Sequence, residues 1–122
     1  MNPEKEKLED IIWLDLDKVE IYGFEDFKDV YNIAQMVRNI ESGAEFPPVY
    51  VAKINDTKYV LSGYRNLDKD GRLIYDNYGG HHRALAHWIA GKPLKCVITE
   101  NHWKGVYTCD LNIKDIVLRD YK

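Results

Sequence analysis

The residues best suited to chemistry form one short run, Gly79-Gly-His-His-Arg83. Glycines let the backbone turn sharply, and the first turn of a following helix offers unpaired N–H donors and the positive end of its dipole. Arg83 adds a fork of donors for phosphate or carboxylate oxygens. His81 and His82 add donors or a proton carrier near neutral pH. The run therefore predicts an anion site, and a simple tight turn with a capping or solvent-facing histidine is the alternative.

The elements that must position this run are predicted by hydrophobic periodicity. Strands are predicted over 11–16, 19–22, 49–54, 58–62, 73–78, 94–99 and 105–109. Helices are predicted over 26–41 and 81–90, while 113–121 fits either a helix or a strand. Asn55-Asp56 and Asp70-Gly71 mark turns, and Gly43 and Gly91 are expected to end the two helices. The pattern predicts one α/β (α+β) domain over residues 1–122, with a mixed sheet and flanking helices.

Each predicted helix has an apolar face. The first face is marked by residues at three- and four-residue spacing: Val30, Ile33, Ala34, Val37 and Ile40. The second is marked by Leu85, Trp88 and Ile89. These residues are expected to be buried against the sheet. Tyr64, Tyr75 and Tyr78 lie near the glycine-histidine run, where they could stack on a base, although packing of a small sheet is the more ordinary role.

The composition is that of an ordinary globular domain, with 122 residues, 45% of them apolar and 30% charged. A net charge of -3 argues against a protein that coats nucleic acid. No apolar run approaches the roughly 20 residues of a membrane span, so no membrane association is expected. Cys96 and Cys109 form no CxxC pair, which favours a cytoplasmic protein with reduced thiols over one with a disulfide. The sequence is compatible with a homodimer but does not determine the oligomeric state.

Parts of the chain resemble the ParB/sulfiredoxin-like superfamily over roughly residues 10–100. The resemblance is carried by Pro47-Pro-Val-Tyr-Val51, Tyr59-Val-Leu61, Gly79-Gly-His-His-Arg-Ala-Leu-Ala86 and Gly91-Lys-Pro-Leu-Lys-Cys-Val-Ile98. At the position of the Gly-His-His-Arg box, ParB-type proteins have a Gly-Glu-Arg-Arg type box, free-serine kinases Asp-Gly-His-His-Arg and sulfiredoxins Gly-Gly-Cys-His-Arg. The resemblance implies nucleotide binding, with the box gripping the phosphates. Family activities include ATP or CTP hydrolysis, phosphoryl transfer, nuclease action and sulfinic acid repair.

Carried over residue by residue, the resemblance implies a set of phosphate contacts. They are Gly79, Gly80, His81, His82 and Arg83 in the box, and Asn32, Gln35 and Asn39 on the preceding helix. The three amides replace Lys, Ser and Thr of sulfiredoxins, which leaves less charge for a triphosphate. His81 stands where sulfiredoxins have their nucleophilic cysteine, so sulfinic acid reduction is not expected. Gly79 replaces the aspartate that opens the box of serine kinases, and no helix-turn-helix of a partition protein is recognised.

Two functions fit these expectations. The first is an enzyme acting on phosphates, a nucleotide hydrolase, phosphotransferase or nuclease. In it His81 or His82 is the acid/base and Arg83 stabilises the transferring group. The second is a non-catalytic module of a plasmid, phage or archaeal system that binds a nucleotide (ATP, ADP or CTP), DNA or another nucleic acid, or a partner protein.

A bound nucleotide could bring Mg²⁺, held in part by Asp76 or Asp68, because Mg²⁺ prefers few carboxylates plus phosphate oxygens. Asp76 and Glu41 are the general-base candidates. No transition metal is expected, since His82 and His87 are five residues apart rather than the four that place ligands on one helix face.

Overall fold

The computed structural model describes residues 11–61, 66–67, 73–74, 80–98 and 110–120. Its helices are α1 (Val30–Glu41) and α2 (His81–Ala90), with a 3-10 turn at Ile113–Asp115. Its strands are β1 (Ile11–Leu14), β2 (Glu20–Gly23), β3 (Phe27–Asp29), β4 (Val49–Asn55), β5 (Lys58–Leu61), β6 (Asn66–Leu67), β7 (Leu73–Ile74), β8 (Leu94–Ile98), β9 (Leu111–Asn112) and β10 (Val117–Arg119). The predicted mixed α/β class is confirmed.

Six strands form one sheet in the order β1-β8-β4-β5-β2-β9. The pairs β4–β8 and β2–β5 are parallel, whereas β1–β8, β4–β5 and β2–β9 are antiparallel. The predicted β4–β5 hairpin is confirmed, and the Asn55 side chain accepts a hydrogen bond from the Thr57 N–H at 2.9 Å in its turn. Two further pairs stand apart from this sheet, β3 with β10 and β6 with β7.

The core lies on one face of the six-stranded sheet, because alternate strand residues point to the same side. The sheet contributes Leu14, Ile21, Val49, Val51, Tyr59, Leu61, Leu94 and Cys96. Facing residues come from both helices and from the 3-10 turn, and they include Ile33, Ala84, Leu85 and Ile113. As a result, the start of α2 packs against the first residue of β4, where Gly80 lies next to Val49.

Helix α1 begins four residues later than predicted. Residues 27–29 form β3, which pairs in parallel with β10, and the Asp29 side chain caps the helix by accepting from the Tyr31 N–H at 3.0 Å. The prediction failed there because β10 is distant in sequence, and local periodicity cannot reveal such a partner. Ile33 and Ile40 of the predicted apolar face are buried, and its other members are half-buried.

Helix α2 has the predicted bounds, and Gly91 ends it with a φ of +70°. Its buried face runs through His81, Ala84 and Leu85, so Ile89 lies at the rim and is 46% exposed. The expectation that Ile89 is buried is therefore wrong. Within the described residues, no helix is long and apolar enough to cross a membrane.

The chain after residue 110 contains the 3-10 turn followed by β10, which decides between the two alternatives for 113–121 in favour of a strand. Of the predicted strand over 73–78, only the first two residues are described, as β7. The predicted strand over 105–109, the Asp70-Gly71 turn and the three tyrosines near the box lie outside the described residues.

Candidate functional site

The site begins at Gly80, the residue that starts α2. Gly80 is buried and left-handed, with a φ of +86°, and its carbonyl accepts the first helical hydrogen bond from the Ala84 N–H at 2.9 Å. A Cβ here would overlap Cγ1 of Val49 and approach its Cγ2 to 3.2 Å. Glycine is therefore required both by the backbone conformation and by the contact with β4. Gly80 has no side chain to cap the helix, and the first turn contains no acidic residue.

His81 points into the protein and is 2% exposed. Its Nε2 accepts hydrogen bonds from the backbone N–H groups of Phe24 at 3.0 Å and Glu25 at 3.3 Å. Its Nδ1 lies 2.8 Å from Oε2 of Glu25, a close polar contact whose alignment falls short of a regular hydrogen bond. Because Nε2 is an acceptor, the neutral ring carries its proton on Nδ1, beside the carboxylate.

Glu25 and Lys28 complete this buried cluster. Lys28 is 9% exposed, and its Nζ lies 2.7 Å from Oε2 of Glu25. Burial by itself raises the pKa of Glu25, but the close polar contact with His81 Nδ1 and the ammonium group of Lys28 outweigh burial and lower this pKa to about 2. Glu25 is therefore ionised throughout the physiological range and neutralises the buried ammonium group.

The predicted phosphate contact of His81 is altered by this geometry. Both of its ring nitrogens face protein atoms, so the side chain presents no free polar atom to a ligand in this conformation. The cause is helical periodicity, since position 81 shares the buried face of α2 with Ala84 and Leu85. A ligand at the helix start would meet the backbone N–H of His81 rather than its ring.

Arg83 joins α2 to the chain that leads into β4. Its Nη1 donates to the carbonyl oxygens of Pro47 at 2.9 Å and Pro48 at 3.0 Å. The guanidinium nitrogen predicted to grip phosphate thus binds two backbone acceptors. Together with the packing of Gly80 on Val49, this contact fixes the position of the first turn of α2.

His82 is the box side chain that reaches a cavity. It is half-buried and lines an open cleft of about 420 Å³ together with the segment Phe24–Asp29. Burial lowers the pKa of His82, and the positive charge of Lys28 lowers it further. His82 is therefore neutral at pH 7, with one ring nitrogen as a donor and the other as an acceptor. The facing segment carries three carboxylates, Glu25, Asp26 and Asp29, and one lysine.

The predicted amide stripe lies on the exposed side of α1. Asn32, Gln35 and Asn39 are all exposed, as expected for a polar face. Gln35 donates from Nε2 to Asn39 Oδ1 at 3.2 Å and accepts from Arg38 Nη2 at 2.9 Å. Within the described part of the chain, no hydrogen bond or ion pair joins this stripe to residues 80–83. The amides and the box are therefore not brought into one polar network.

The remaining predicted site residues divide into two groups. Gly79, Asp68 and Asp76, the last two proposed for magnesium, lie outside the described residues. Glu41 is exposed at the last residue of α1. The described ranges contain no group of three or more His, Cys, Asp or Glu side chains placed to hold a metal ion. His87 is buried within α2, where its Nδ1 donates to the Arg83 carbonyl at 2.6 Å.

The segment Phe24–Asp29, which forms the wall of the cleft, is not predicted by the sequence as part of the site. Residues 26–29 of this segment fall within the helix predicted over 26–41, which gives no reason to expect a cleft wall there. Glu25 and Lys28 lie more than fifty residues from His81, so only the fold brings them to it. The local signal for the Glu25–Lys28 ion pair is their spacing of three residues.

The chain was compared with known proteins on three levels. No family model, curated protein or solved structure matches it. The resemblance to ParB/sulfiredoxin-like domains therefore stays a prediction.

Cys96 is expected to be chemically inert in the folded protein. It is a free, fully buried thiol in β8, and burial raises its pKa to about 12, which suppresses the reactive thiolate. Iodoacetamide at pH 8 should leave Cys96 unlabelled in buffer and label it fully in denaturant, as measured by mass spectrometry of the Cys96 peptide. Rapid labelling in buffer would contradict this burial.

Proposed function

We propose that this protein binds a phosphate-bearing ligand at the start of α2, and that the favoured ligand is a nucleotide. The observation that carries the proposal is the uncapped helix start at Gly80, with His82 of the same turn lining an open cleft. First-turn N–H groups and the positive end of the helix dipole favour an anion at this position. The neutral His82 ring adds one hydrogen-bond donor beside them.

The charges of the cleft limit which nucleotide fits. Lys28 is already paired with Glu25, and Asp29 caps α1, so the opposite wall attracts few further negative charges. Asp26 is exposed on the same wall. A ligand with one or two phosphates is favoured over a free triphosphate, because the facing wall carries three carboxylates against one lysine. Mg²⁺ would reduce this discrimination by neutralising the polyphosphate.

The geometry supports a binding module more strongly than a phosphotransferase. The His81 ring and Nη1 of Arg83 bind protein atoms, so two of the three proposed catalytic side chains are used in holding the fold. His82 remains as the acid/base candidate, since a neutral imidazole can accept a proton. The same donors would also take a terminal phosphate of a nucleic acid.

Calorimetric titration with AMP, ADP, ATP and CTP, each with and without Mg²⁺, tests the proposal. His82→Ala should weaken binding about three- to tenfold, the worth of one hydrogen bond, without changing the urea midpoint. Lys92→Ala is the matched control, because Lys92 is exposed just beyond the other end of α2 and should leave affinity unchanged.

Two measurements, binding and phosphate release, decide the proposal and its enzymatic form. If the wild-type chain binds none of these nucleotides, the proposal is wrong. Phosphate release measured on the same samples then separates the two functions. Turnover that disappears in His82→Ala supports an enzyme, and binding without turnover supports the module.

A further inference from the structure

The buried His81 ring connects two separate parts of the chain. It belongs to the first turn of α2, but both of its nitrogens face the segment Phe24–Asp29. The Phe24 ring packs edge-on against it, with 4.6 Å between ring centroids. The same segment pairs with β10, since the Asp26 carbonyl accepts from the Val117 N–H at 2.9 Å. His81 therefore supports both the cleft wall and the β3–β10 pair.

We propose that His81 is a proton-controlled latch: the neutral ring holds the Phe24–Asp29 segment on α2, and uptake of one proton at Nε2 releases it. The Nε2 lone pair accepts two backbone N–H groups. A proton from solvent turns this acceptor into a donor that faces two donors. Both hydrogen bonds are then lost, and the imidazolium must leave its buried position to be hydrated.

The groups around the ring define this balance. The ionised Glu25 favours a charged ring. Lys28 and Arg83 contribute positive charge, His82 is a neutral neighbour, and Lys28 already contacts Oε2 of Glu25, the oxygen that lies nearest to His81. From strand β2, Gly23 lies against the ring, because a Cβ at this position would overlap His81 Nε2, and glycine has no side chain to titrate. With a side chain only 1% exposed, a charged ring would keep Glu25 beside Nδ1 but would have neither water nor an acceptor at Nε2, which faces two N–H donors.

Release of the latch changes the cleft, because the Phe24–Asp29 segment is the wall that faces His82. The neutral form keeps the cleft assembled, and the protonated form opens it. The latch does not depend on phosphate binding, since it operates in the free protein.

The test is a nuclear magnetic resonance titration of the free chain from pH 8 to pH 5, the interval in which histidine changes charge. Ring-nitrogen spectra should show His81 as the Nδ1–H tautomer at pH 8. Its protonation should coincide with shifts of the Phe24, Glu25 and Val117 backbone amides. Amides of core residues on other strands, such as Leu94 of β8, should stay unchanged, which separates local release from unfolding.

Two variants sharpen the test. Glu25→Gln removes the negative charge that favours the protonated ring, and should move the coupled transition to lower pH. His82→Ala alters the neighbouring, cleft-facing ring and should leave the coupled transition of His81 and the three amides in place. The latch is refuted if His81 stays neutral down to pH 5, if it titrates without movement of those amides, or if core amides move with them.

Discussion

Replacing Gly80 with alanine is expected to lower the free energy of unfolding by about 2–5 kcal/mol. Two costs combine, about 1–2 kcal/mol for a left-handed residue with a Cβ and about 1–3 kcal/mol for overpacking against Val49. This is a large part of the 5–15 kcal/mol that typically stabilises a domain. Urea denaturation followed by circular dichroism measures the change.

Gly91→Ala provides the matched control. Gly91 ends the same helix with a φ of +70°, but nothing lies within 4 Å of the position that its Cβ would occupy. It should therefore show the backbone cost alone, about 1–2 kcal/mol. A loss in Gly80→Ala no greater than in Gly91→Ala would show that contact with Val49 is not the constraint. Adding Val49→Ala should recover part of the loss if the contact is responsible.

Replacing His81 with leucine is expected to cost about 2–4 kcal/mol, although leucine is the more apolar side chain. The N–H groups of Phe24 and Glu25 lose their acceptor, and each unpaired donor costs about 1–3 kcal/mol when buried. Two fully buried donors would cost about 2–6 kcal/mol together. Because these two donors are only partly buried, the expected loss lies in the lower part of that range. Hydrogen exchange of the two amides should also accelerate, because their protection depends on Nε2.

His87→Leu is the control on the same helix. His87 is also buried, but among the described residues its ring makes one hydrogen bond, to the helical carbonyl of Arg83, so its loss should cost about 1 kcal/mol. Equal losses in the two variants, or unchanged exchange of the Phe24 and Glu25 amides in His81→Leu, would show that His81 does not hold the segment.

These expectations separate what local sequence signals could predict from what they could not. The bounds of α2 and the β4–β5 hairpin follow from near neighbours, because apolar period, glycine stops and turn residues act within a few positions. The start of α1 was misplaced because the residues before Val30 pair with β10, about ninety positions away. A local pattern carries no information about such a partner.

The box shows the same division at the level of side chains. The residues Gly80 to Arg83 by themselves determined that a helix starts here and that its first turn carries donors, since glycine conformation and helix geometry are local properties. The tertiary structure decided where each side chain points. His81 turns inward onto the Phe24–Asp29 segment, Arg83 binds the Pro47 and Pro48 carbonyls, and His82 reaches the cleft. The reason is that a side chain's partners are set by the packing of α2 on distant elements, which no spacing within the box encodes.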